Sequence, residues 1–258
     1  MPKLLKRILK ALGLTIVATL TAGLVFVYTR PVRISPNKPA RDNAKRVQRL
    51  LTVKKALFIG AHPDDIEFYA GGLVYMLRHR GAEVTFAIAT RGGKGRTGAA
   101  KALLEARRSR DQLESARILG GVHVILYHYP DKGLPHHVNE FADDLVKLIR
   151  KEKPDMVFTW DPEFTYNRHP DHVAAAKSAR KALDITGAKW CGYGTFEPNV
   201  WVGYGDDIFR IKIKSLRAHT TETPWYYWPW VKRWLTRKTS GEGAKIHAKY
   251  AEFFRCEQ

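Results

Sequence analysis

Two short stretches of the 258-residue sequence are rich in side chains that bind metals and move protons. The first, AHPDDIE, occupies residues 61–67, and the second, HPDH, occupies residues 169–172. Histidine nitrogens and carboxylate oxygens are usual ligands of a catalytic zinc ion, which takes three protein ligands and keeps one position open for water. Such a water molecule ionises near neutral pH and attacks a carbonyl, with a nearby carboxylate as general base. The two stretches therefore predict a mononuclear zinc site.

Helix capping is the simpler interpretation of each stretch. An Asp that precedes an apolar run can accept hydrogen bonds from the free N–H groups at a helix N-terminus. A single His-Pro-Asp turn would be explained by capping more often than by catalysis. Two such turns, each after a predicted strand, favour the metal site, and capping alone stays as the alternative.

The elements that position these stretches alternate between strands and helices. Apolar runs predict four strands, at 56–60, 83–90, 122–129 and 156–160. Amphipathic stretches predict four helices. The first follows the 56–60 strand and ends near residue 80, and the others span 100–119, 138–151 and 171–183. This alternation predicts an α/β fold, a Rossmann-like three-layer sandwich with a mostly parallel sheet. Because such sheets bind ligands beyond the carboxyl ends of their strands, we expect the two stretches to meet at one edge.

The formal net charge of +19 is concentrated in two flanks. Residues 1–55 carry 13 basic and 1 acidic side chain, and residues 210–238 carry 8 and 1, whereas residues 56–209 carry 20 of each. An enzyme that acts on nucleic acid usually places cations around its site. The neutral middle of the chain therefore argues against a nucleic-acid partner.

The first flank surrounds 19 consecutive uncharged residues, 11–29. As a helix, this run approaches the ~30 Å thickness of a bilayer core. We expect residues 1–30 to form a single transmembrane anchor, 31–54 a basic extended linker, and 55–258 the catalytic domain. A cleaved signal peptide and a buried helix are the alternatives. Cations are more numerous after the run than before it, which favours a cytoplasmic catalytic domain.

The second flank contains a segment, residues 224–238, with six aromatic side chains between Trp225 and Trp234. Trp and Tyr favour the membrane interface, and neighbouring cations favour anionic headgroups, so the segment predicts contact with membrane lipids. A hydrophobic cluster over the core and stacking against a sugar or a base are the alternatives.

The two cysteines, Cys191 and Cys256, are isolated in the sequence. They indicate neither a disulfide framework nor a cysteine-based metal site. Cysteine usage does not identify the compartment.

The first stretch, followed by Gly71 and Gly72, resembles the opening motif of the LmbE-like, or PIG-L, family of zinc-dependent N-acetyl deacetylases. The second stretch is similar to the second motif of that family. The similarity is good over residues 56–185 and thin as far as residue 255. It implies a zinc site, or another divalent transition metal, held by His62, Asp65 and His172. Asp64 would be the general base.

The resemblance also implies roles for four further residues. His169 would stabilise the oxyanion or protonate the departing amine, and Asp171 would orient it. Arg108 would contact the substrate, with an exposed surface cation as the alternative. His219 lies in a segment similar to a late part of the family, where it would either line the pocket or belong to an ordinary helix.

The function that follows is hydrolysis of the N-acetyl group of an N-acetylglucosamine-containing substrate at a membrane surface. A lipid-linked glycan is the first expectation, and a soluble glycoside or a related amide is the second. A non-catalytic membrane protein that binds glycolipid is the alternative from another class. Family members often have Glu at the positions of Gly93 and Asp111, so contacts of that loop with substrate are not carried over.

Overall fold

The computed structural model describes residues 34–95 and 100–257. Seven strands in these residues form one sheet, and β1 to β7 are Lys55–Gly60, Glu83–Thr90, His123–Tyr129, Met156–Trp160, Trp190–Tyr193, Val200–Tyr204 and Tyr250–Cys256. Their order in the sheet is β3-β2-β1-β4-β5-β7-β6. β1 to β5 are parallel, and β7 lies antiparallel between β5 and β6. The prediction of an α/β fold with a mostly parallel sheet is confirmed.

Seven α-helices cover the described sheet, and α1 to α7 are Asn43–Leu51, Asp65–His79, Lys101–Ile118, Val138–Glu152, Pro170–Thr186, Asp206–Arg217 and Trp228–Ala244. Helix α6 packs against α2 and α3, while α4 packs against α5. The strands β1, β2 and β4 are buried almost throughout, as expected for a parallel sheet covered on both faces. Phe58 on β1 stacks on Phe158 on β4, with ring centroids 4.3 Å apart. The sheet edge that carries the two His/Asp stretches therefore rests on a rigid core.

The four strands and four helices predicted between residues 56 and 183 are present, with small shifts at their ends. The prediction that 31–54 is an extended linker is wrong in its second half, because α1 packs against β6. Leu50 of that helix is buried, and the Asn43 side chain exchanges two hydrogen bonds with the backbone of Trp201, at 2.8 and 3.0 Å. The compact unit begins at Ile34.

The predicted transmembrane anchor, residues 1–30, lies outside the described residues. Among the described helices, none combines the length and the apolar character needed to span a bilayer. The anchor therefore stays a prediction from the sequence.

Cys191 on β5 and Cys256 on β7 lie directly opposite each other in the antiparallel pair and form a disulfide. The prediction that the cysteines form no disulfide is thus wrong. The two residues are 65 positions apart, and β5, with only four residues, is too short to be recognised from the sequence.

Removing this disulfide should destabilise the domain. The double variant Cys191→Ala/Cys256→Ala is expected to lose about 2–4 kcal/mol in free energy of unfolding, because the cross-link restricts the unfolded chain. Urea unfolding with and without reductant measures the effect. Reductant should shift the midpoint of the wild type towards that of the variant and leave the variant unchanged; a wild-type midpoint insensitive to reductant would contradict the pairing.

Candidate active site

The two His/Asp stretches meet at the carboxyl edge of the sheet, where a cavity of about 710 Å³ opens. Its lining includes polar side chains of both stretches together with aromatic side chains from α2 and from the region of α7. The residues that line it are His62, Asp64, Asp65, Phe68, Tyr69, Lys94, Gly95, Arg108, Asp131, Lys132, Asn167, His169, His172, Glu222, Tyr227, Trp230, Val231 and Trp234. The expectation that one sheet edge gathers both stretches is confirmed.

The turn from β1 into α2 places two consecutive carboxylates in different surroundings. Asp64 has a left-handed backbone with φ of 102°, and its N–H donates to Oε1 of Gln112 at 3.3 Å. Its side chain makes no capping hydrogen bond to α2, so capping does not explain this residue. Asp65 Oδ2 accepts three hydrogen bonds, from the N–H groups of Ala61 and His62 and from the indole of Trp160, at 2.8, 3.0 and 3.1 Å. The carboxylate of Asp65 is therefore fixed in orientation.

Three side chains bring potential metal-binding atoms together. Nδ1 of His62 lies 3.0 Å from Nε2 of His172, and that nitrogen lies 3.2 Å from Oδ1 of Asp65. Oδ2 of Asp65 is 4.0 Å from Nδ1 of His62. The His172 ring is held by stacking on Trp160, with centroids 4.1 Å apart and planes 13° apart. Two imidazoles and one carboxylate that converge in this way fit the ligand set of a catalytic zinc.

A histidine that binds metal through one nitrogen usually donates the other N–H to a carboxylate, a backbone carbonyl or water. Nε2 of His62 lies 3.0 Å from Oδ2 of Asp171 and 3.4 Å from Oδ1 of Asp131. The Asp171 carboxylate also accepts from the backbone N–H groups of Lys132 and Leu134, at 2.6 and 3.2 Å. Both acidic side chains are therefore placed to fix the orientation of the His62 ring.

This contact corrects the role predicted for Asp171. Its carboxylate orients His62, whereas its link to His169 runs through the backbone: the N–H of Asp171 donates to Nδ1 of His169 at 3.2 Å. No role was predicted for Asp131 from the sequence. The signal available for it was the Pro130-Asp131 turn directly after β3.

His62 is surrounded by negative charge. Burial alone would lower its pKa, but hydrogen bonds with Asp131 and Asp171 outweigh that effect and raise the pKa to about 10. Burial would raise the pKa of Asp65, yet His172 and His62 hold it well below its usual range. The pKa values of Asp131 and Asp171 are also lowered, against the effect of burial, by their hydrogen bonds to His62. The three carboxylates and the two histidines thus form one strongly coupled charged cluster at the edge of the sheet.

Asp64 is suited to proton transfer. Burial raises the pKa of its carboxyl to about 7, although the nearby Arg108 guanidinium acts in the opposite direction. Nη2 of Arg108 lies 3.7 Å from Oδ1 of Asp64. A base whose pKa lies near the working pH accepts and returns protons most effectively.

His169 is suited to donating a hydrogen bond. Burial and the neighbouring rings of His62 and His172 lower its pKa, which favours the neutral imidazole. Because its Nδ1 accepts from the backbone of Asp171, we assign the ring proton to Nε2. A neutral histidine with this tautomer can donate to an oxygen that gains negative charge.

Arg108 is 5% exposed, so the alternative of a surface cation is wrong. Its guanidinium donates to the carbonyl oxygens of Pro63 and Gly92, at 2.7 and 3.3 Å, and lies 3.1 Å from the Glu222 carboxylate. These contacts hold Arg108 in the wall of the cavity beside Asp64. They anchor the turn that carries the predicted base.

His219 is 1% exposed and is not among the residues that line the cavity. It lies behind the wall, with Nε2 3.4 Å from Oε1 of Glu67. The same oxygen accepts from Gln112 and Ser115, at 2.7 and 2.6 Å. His219 thus lies neither in the pocket wall nor within a helix, the two expected placements, because it follows the end of α6 at Arg217 and contacts Glu67 of α2.

The aromatic segment, residues 224–238, divides into two parts. Tyr227, Trp230 and Trp234 line the cavity, whereas Trp225 and Tyr226 are 79% and 71% exposed. Of these side chains, Trp225 and Tyr226 are exposed enough to contact membrane lipids, and that contact stays a prediction. The cavity-lining part faces the candidate substrate site.

Lys238, near the middle of α7, is buried among aromatic rings. Its ammonium lies 4.4 Å from the ring centroid of Tyr166 and 5.1 Å from that of Trp234, and it donates to the Tyr166 hydroxyl. Burial lowers the pKa of Lys238 to about 7. The cation is thus held in a place where its charge is poorly solvated.

This lysine should give the fold a measurable pH dependence. Between about pH 7 and its unfolded pKa of about 10.4, Lys238 binds a proton in the unfolded chain but not in the folded one. Stability therefore rises with pH across this window. Urea unfolding should show the rise in the wild type relative to Lys238→Met, while Lys151→Met, at an exposed site, should follow the wild type. Parallel curves for wild type and Lys238→Met would contradict the assignment.

The fold and the site together fit a metal-dependent hydrolase with its His and Asp side chains at the carboxyl edge of a mostly parallel sheet. The family model PIG-L, described as GlcNAc-PI de-N-acetylase, matches residues 57–183. The solved structure of N,N'-diacetylchitobiose deacetylase from Pyrococcus horikoshii is 30% identical, with a TM-score of 0.72, and the match covers 86% of this chain and 94% of that one.

Curated relatives give the same result. Diacetylchitobiose deacetylase from Thermococcus kodakarensis is 29% identical over 79% of this chain and 83% of its own length. A probable N-acetyl-alpha-D-glucosaminyl L-malate deacetylase 2 from Bacillus cereus is 26% identical over 66% of this chain and 84% of its own. The chain belongs to the PIG-L, or LmbE-like, deacetylase family and is a metal-dependent amidohydrolase.

Proposed function

We propose that this enzyme uses zinc to remove the acetyl group from an N-acetylglucosamine-containing substrate at a membrane surface. The observation that carries the proposal is the position of Asp64 beside the converging donor atoms of His62, Asp65 and His172. Two relatives are named as deacetylases of diacetylchitobiose and of a glucosaminyl malate, which supports N-acetylglucosamine as the acetylated sugar. Two imidazoles and one carboxylate support zinc.

The residues of the site would divide the reaction between them. A bound divalent metal would polarise the amide carbonyl and make water more acidic. Asp64 takes a proton from the attacking water as the new C–O bond forms. The neutral His169 donates from Nε2 to the oxygen that gains negative charge. When the C–N bond breaks, the proton held by Asp64 passes to the amine nitrogen, and the products are acetate and the free amino sugar.

The membrane location is supported by the uncharged run at residues 11–29, which lies between basic residues. The exposed ring of Trp225 adds an aromatic side chain of the kind that favours an interface. A lipid-linked glycan would then reach a site held near the bilayer, and a soluble glycoside is the second candidate. Fractionation of cells that express the full chain and its 31–258 truncation tests the anchor: only the full chain should sediment with membranes.

Two features indicate opposite sides of the membrane for the catalytic domain. The excess of cations after residue 29 favours the cytoplasm. The disulfide between Cys191 and Cys256 is typical of an oxidising compartment. Because cations flank the uncharged run on both sides, we give the disulfide more weight and propose a non-cytosolic domain. Thiol alkylation in intact cells, followed by non-reducing electrophoresis, should find both cysteines blocked; free thiols would reverse the assignment.

The catalytic proposal is tested by acetate release across a panel of N-acetylated glycans and glycolipids. Purified enzyme should release acetate from at least one N-acetylglucosamine-containing compound, lose activity with a chelator and regain it with zinc. A protein that binds glycolipid without releasing acetate at full zinc occupancy would instead support the non-catalytic alternative.

A further inference from the structure

We propose that Tyr69 donates a hydrogen bond to the bound substrate and that Lys238 is the positioning residue that directs the Tyr69 proton into the cavity. Tyr166, whose hydroxyl contacts both side chains, transmits the effect. This inference rests on the proposed function and adds two residues to the same site. Neither Lys238 nor Tyr166 is among the residues that line the cavity, so any effect of either on the reaction is indirect.

The ammonium group of Lys238 is enclosed by aromatic rings. Its nitrogen lies within 5.4 Å of the ring centroids of four side chains, Tyr69, Tyr166, Trp234 and Phe253. These rings attract a cation but do not replace the hydration that burial removes, since burial still lowers the pKa of Lys238 to about 7. A methionine would fill a similar volume without this cost. Stability therefore does not explain the ammonium group, and its hydrogen bond to the Tyr166 hydroxyl is the feature that remains to be explained.

The ammonium group fixes the direction of the next hydrogen bond. A lysine ammonium donates and cannot accept, so the Tyr166 oxygen accepts from Lys238. The Tyr166 proton is then donated to the Tyr69 oxygen. Burial raises the pKa of Tyr166 well above its usual value, and the bond with Tyr69 acts in the same direction, as expected when Tyr166 is the donor.

The Tyr69 oxygen is the acceptor in both of its hydrogen bonds. Burial raises the pKa of Tyr69 to about 12, whereas the bonds from Asn167 and Tyr166 act in the opposite direction, as bonds donated to a phenol oxygen do. Asn167 donates here through its NH₂ group, because its amide oxygen accepts from the His169 backbone at 3.1 Å. Neither bond uses the Tyr69 proton, which is left for an acceptor in the cavity that Tyr69 lines.

Tyr69 lies at the reacting end of this cavity. It is four residues beyond Asp65 on α2, and its ring meets that of Trp160 with centroids 4.7 Å apart. Trp160 in turn donates to Asp65 and stacks on His172. After burial, the negative charges of Asp65 and Asp64 also raise the pKa of Tyr69, so its hydroxyl lies within the field of both carboxylates. An acetylated sugar that reaches the metal-binding side chains therefore passes Tyr69.

Loss of the ammonium group would make a second arrangement available. With Lys238 present, the reverse bond, from Tyr69 to Tyr166, would leave the Tyr166 proton beside the ammonium group, where two donors repel each other. Without Lys238 this penalty disappears, and both directions of the bond compete. The Tyr69 proton would then be turned away from the cavity for part of the time.

The test measures acetate release from N,N'-diacetylchitobiose by the full chain loaded with zinc. Tyr69→Phe should lower kcat/KM by about tenfold, the usual worth of one hydrogen bond. Lys238→Met should lower it by about threefold to tenfold. This variant should also be at least as stable as the wild type in urea near neutral pH, because a poorly solvated cation is removed. Lys151→Met, at an exposed site, is the matched control and should behave as wild type.

A second substitution separates the direction of the hydrogen bond from a structural role. In Lys238→Met/Tyr166→Phe the competing acceptor is absent, so kcat/KM should recover to within about threefold of the wild type. In Lys238→Met/Tyr69→Phe it should fall no further than in Tyr69→Phe alone. A purely structural role of Lys238 predicts a further loss in both double variants.

Three results would overturn the inference. These are full activity of Tyr69→Phe, full activity of Lys238→Met, and failure of Tyr166→Phe to restore the Lys238→Met enzyme. Calorimetric titration of the Asp64→Asn protein with the same disaccharide gives a readout independent of turnover. Adding Lys238→Met should weaken this binding by about threefold, and adding Tyr166→Phe as well should restore it. If no acetate is released, the proposed function fails for this sugar, and the inference stands or falls on the titration; absence of binding overturns it.

Discussion

Replacing Asp64 by asparagine is expected to lower kcat for acetate release by about 10²–10⁴-fold. Asparagine keeps the size of the side chain but cannot accept a proton from water or return it to the departing amine. The pKa of about 7 that burial gives to Asp64 suits both transfers near neutral pH. Its side chain is not one of the three that converge through His62, so metal content should be unchanged. Acetate release and metal analysis on the same preparation measure the two effects.

The matched control for this variant is Asp143→Asn. It removes an exposed carboxylate of α4 that does not line the cavity. It should keep wild-type kcat and stability. An Asp64→Asn enzyme that retains more than about a tenth of wild-type kcat would remove Asp64 from the role of general base. In that case His169 would be the next candidate for proton transfer.

Replacing His172 by alanine should abolish activity by a different route, through loss of the metal. The variant removes one of two facing imidazole nitrogens and leaves Asp65 and His62 as an incomplete ligand set. We expect metal affinity to fall by at least about 100-fold, since even partners outside the ligand set are worth 10–100-fold. Metal analysis after dialysis and a zinc titration of activity measure the change.

Two comparisons make the His172 result specific. His136→Ala removes an exposed histidine and should bind metal as the wild type does. Asp64→Asn should bind metal without turnover, whereas His172→Ala should show neither. An active His172→Ala enzyme from which the metal has been removed would exclude the proposed ligand set.

The parts of this fold that the sequence predicts are those governed by regular spacing. Apolar runs such as 83–90 are buried on both faces and are therefore recognisable as strands in the sequence. Parallel strands also bring their carboxyl ends to one edge of the sheet. That is why His62 and His172, far apart in the chain, were expected to be neighbours. In the structure their nitrogens are 3.0 Å apart, with the His172 ring held by stacking on Trp160.

Other parts depend on contacts that carry no periodic signal. The Asp171 carboxylate turns towards His62 because the backbone of the turn after β3 holds it there, and nothing in the HPDH motif itself shows that direction. The support of Asp64 by Gln112 joins residues 48 positions apart through one hydrogen bond. β5 has only four residues, so its pairing with β7 could not be anticipated. Such features are set by tertiary packing.

Residues from two separate stretches of the chain line the cavity, which has a consequence for how this catalyst can change. The proposed metal-binding atoms and the proposed base lie within residues 57–183, whereas Tyr227, Trp230 and Trp234 belong to a separate, later segment. Substitutions of these three aromatic side chains can alter which molecule is admitted without moving an atom that takes part in bond cleavage. Selectivity is thus shared between two stretches of the chain, because Tyr69, Lys94 and Asn167 line the same cavity as the later aromatic side chains.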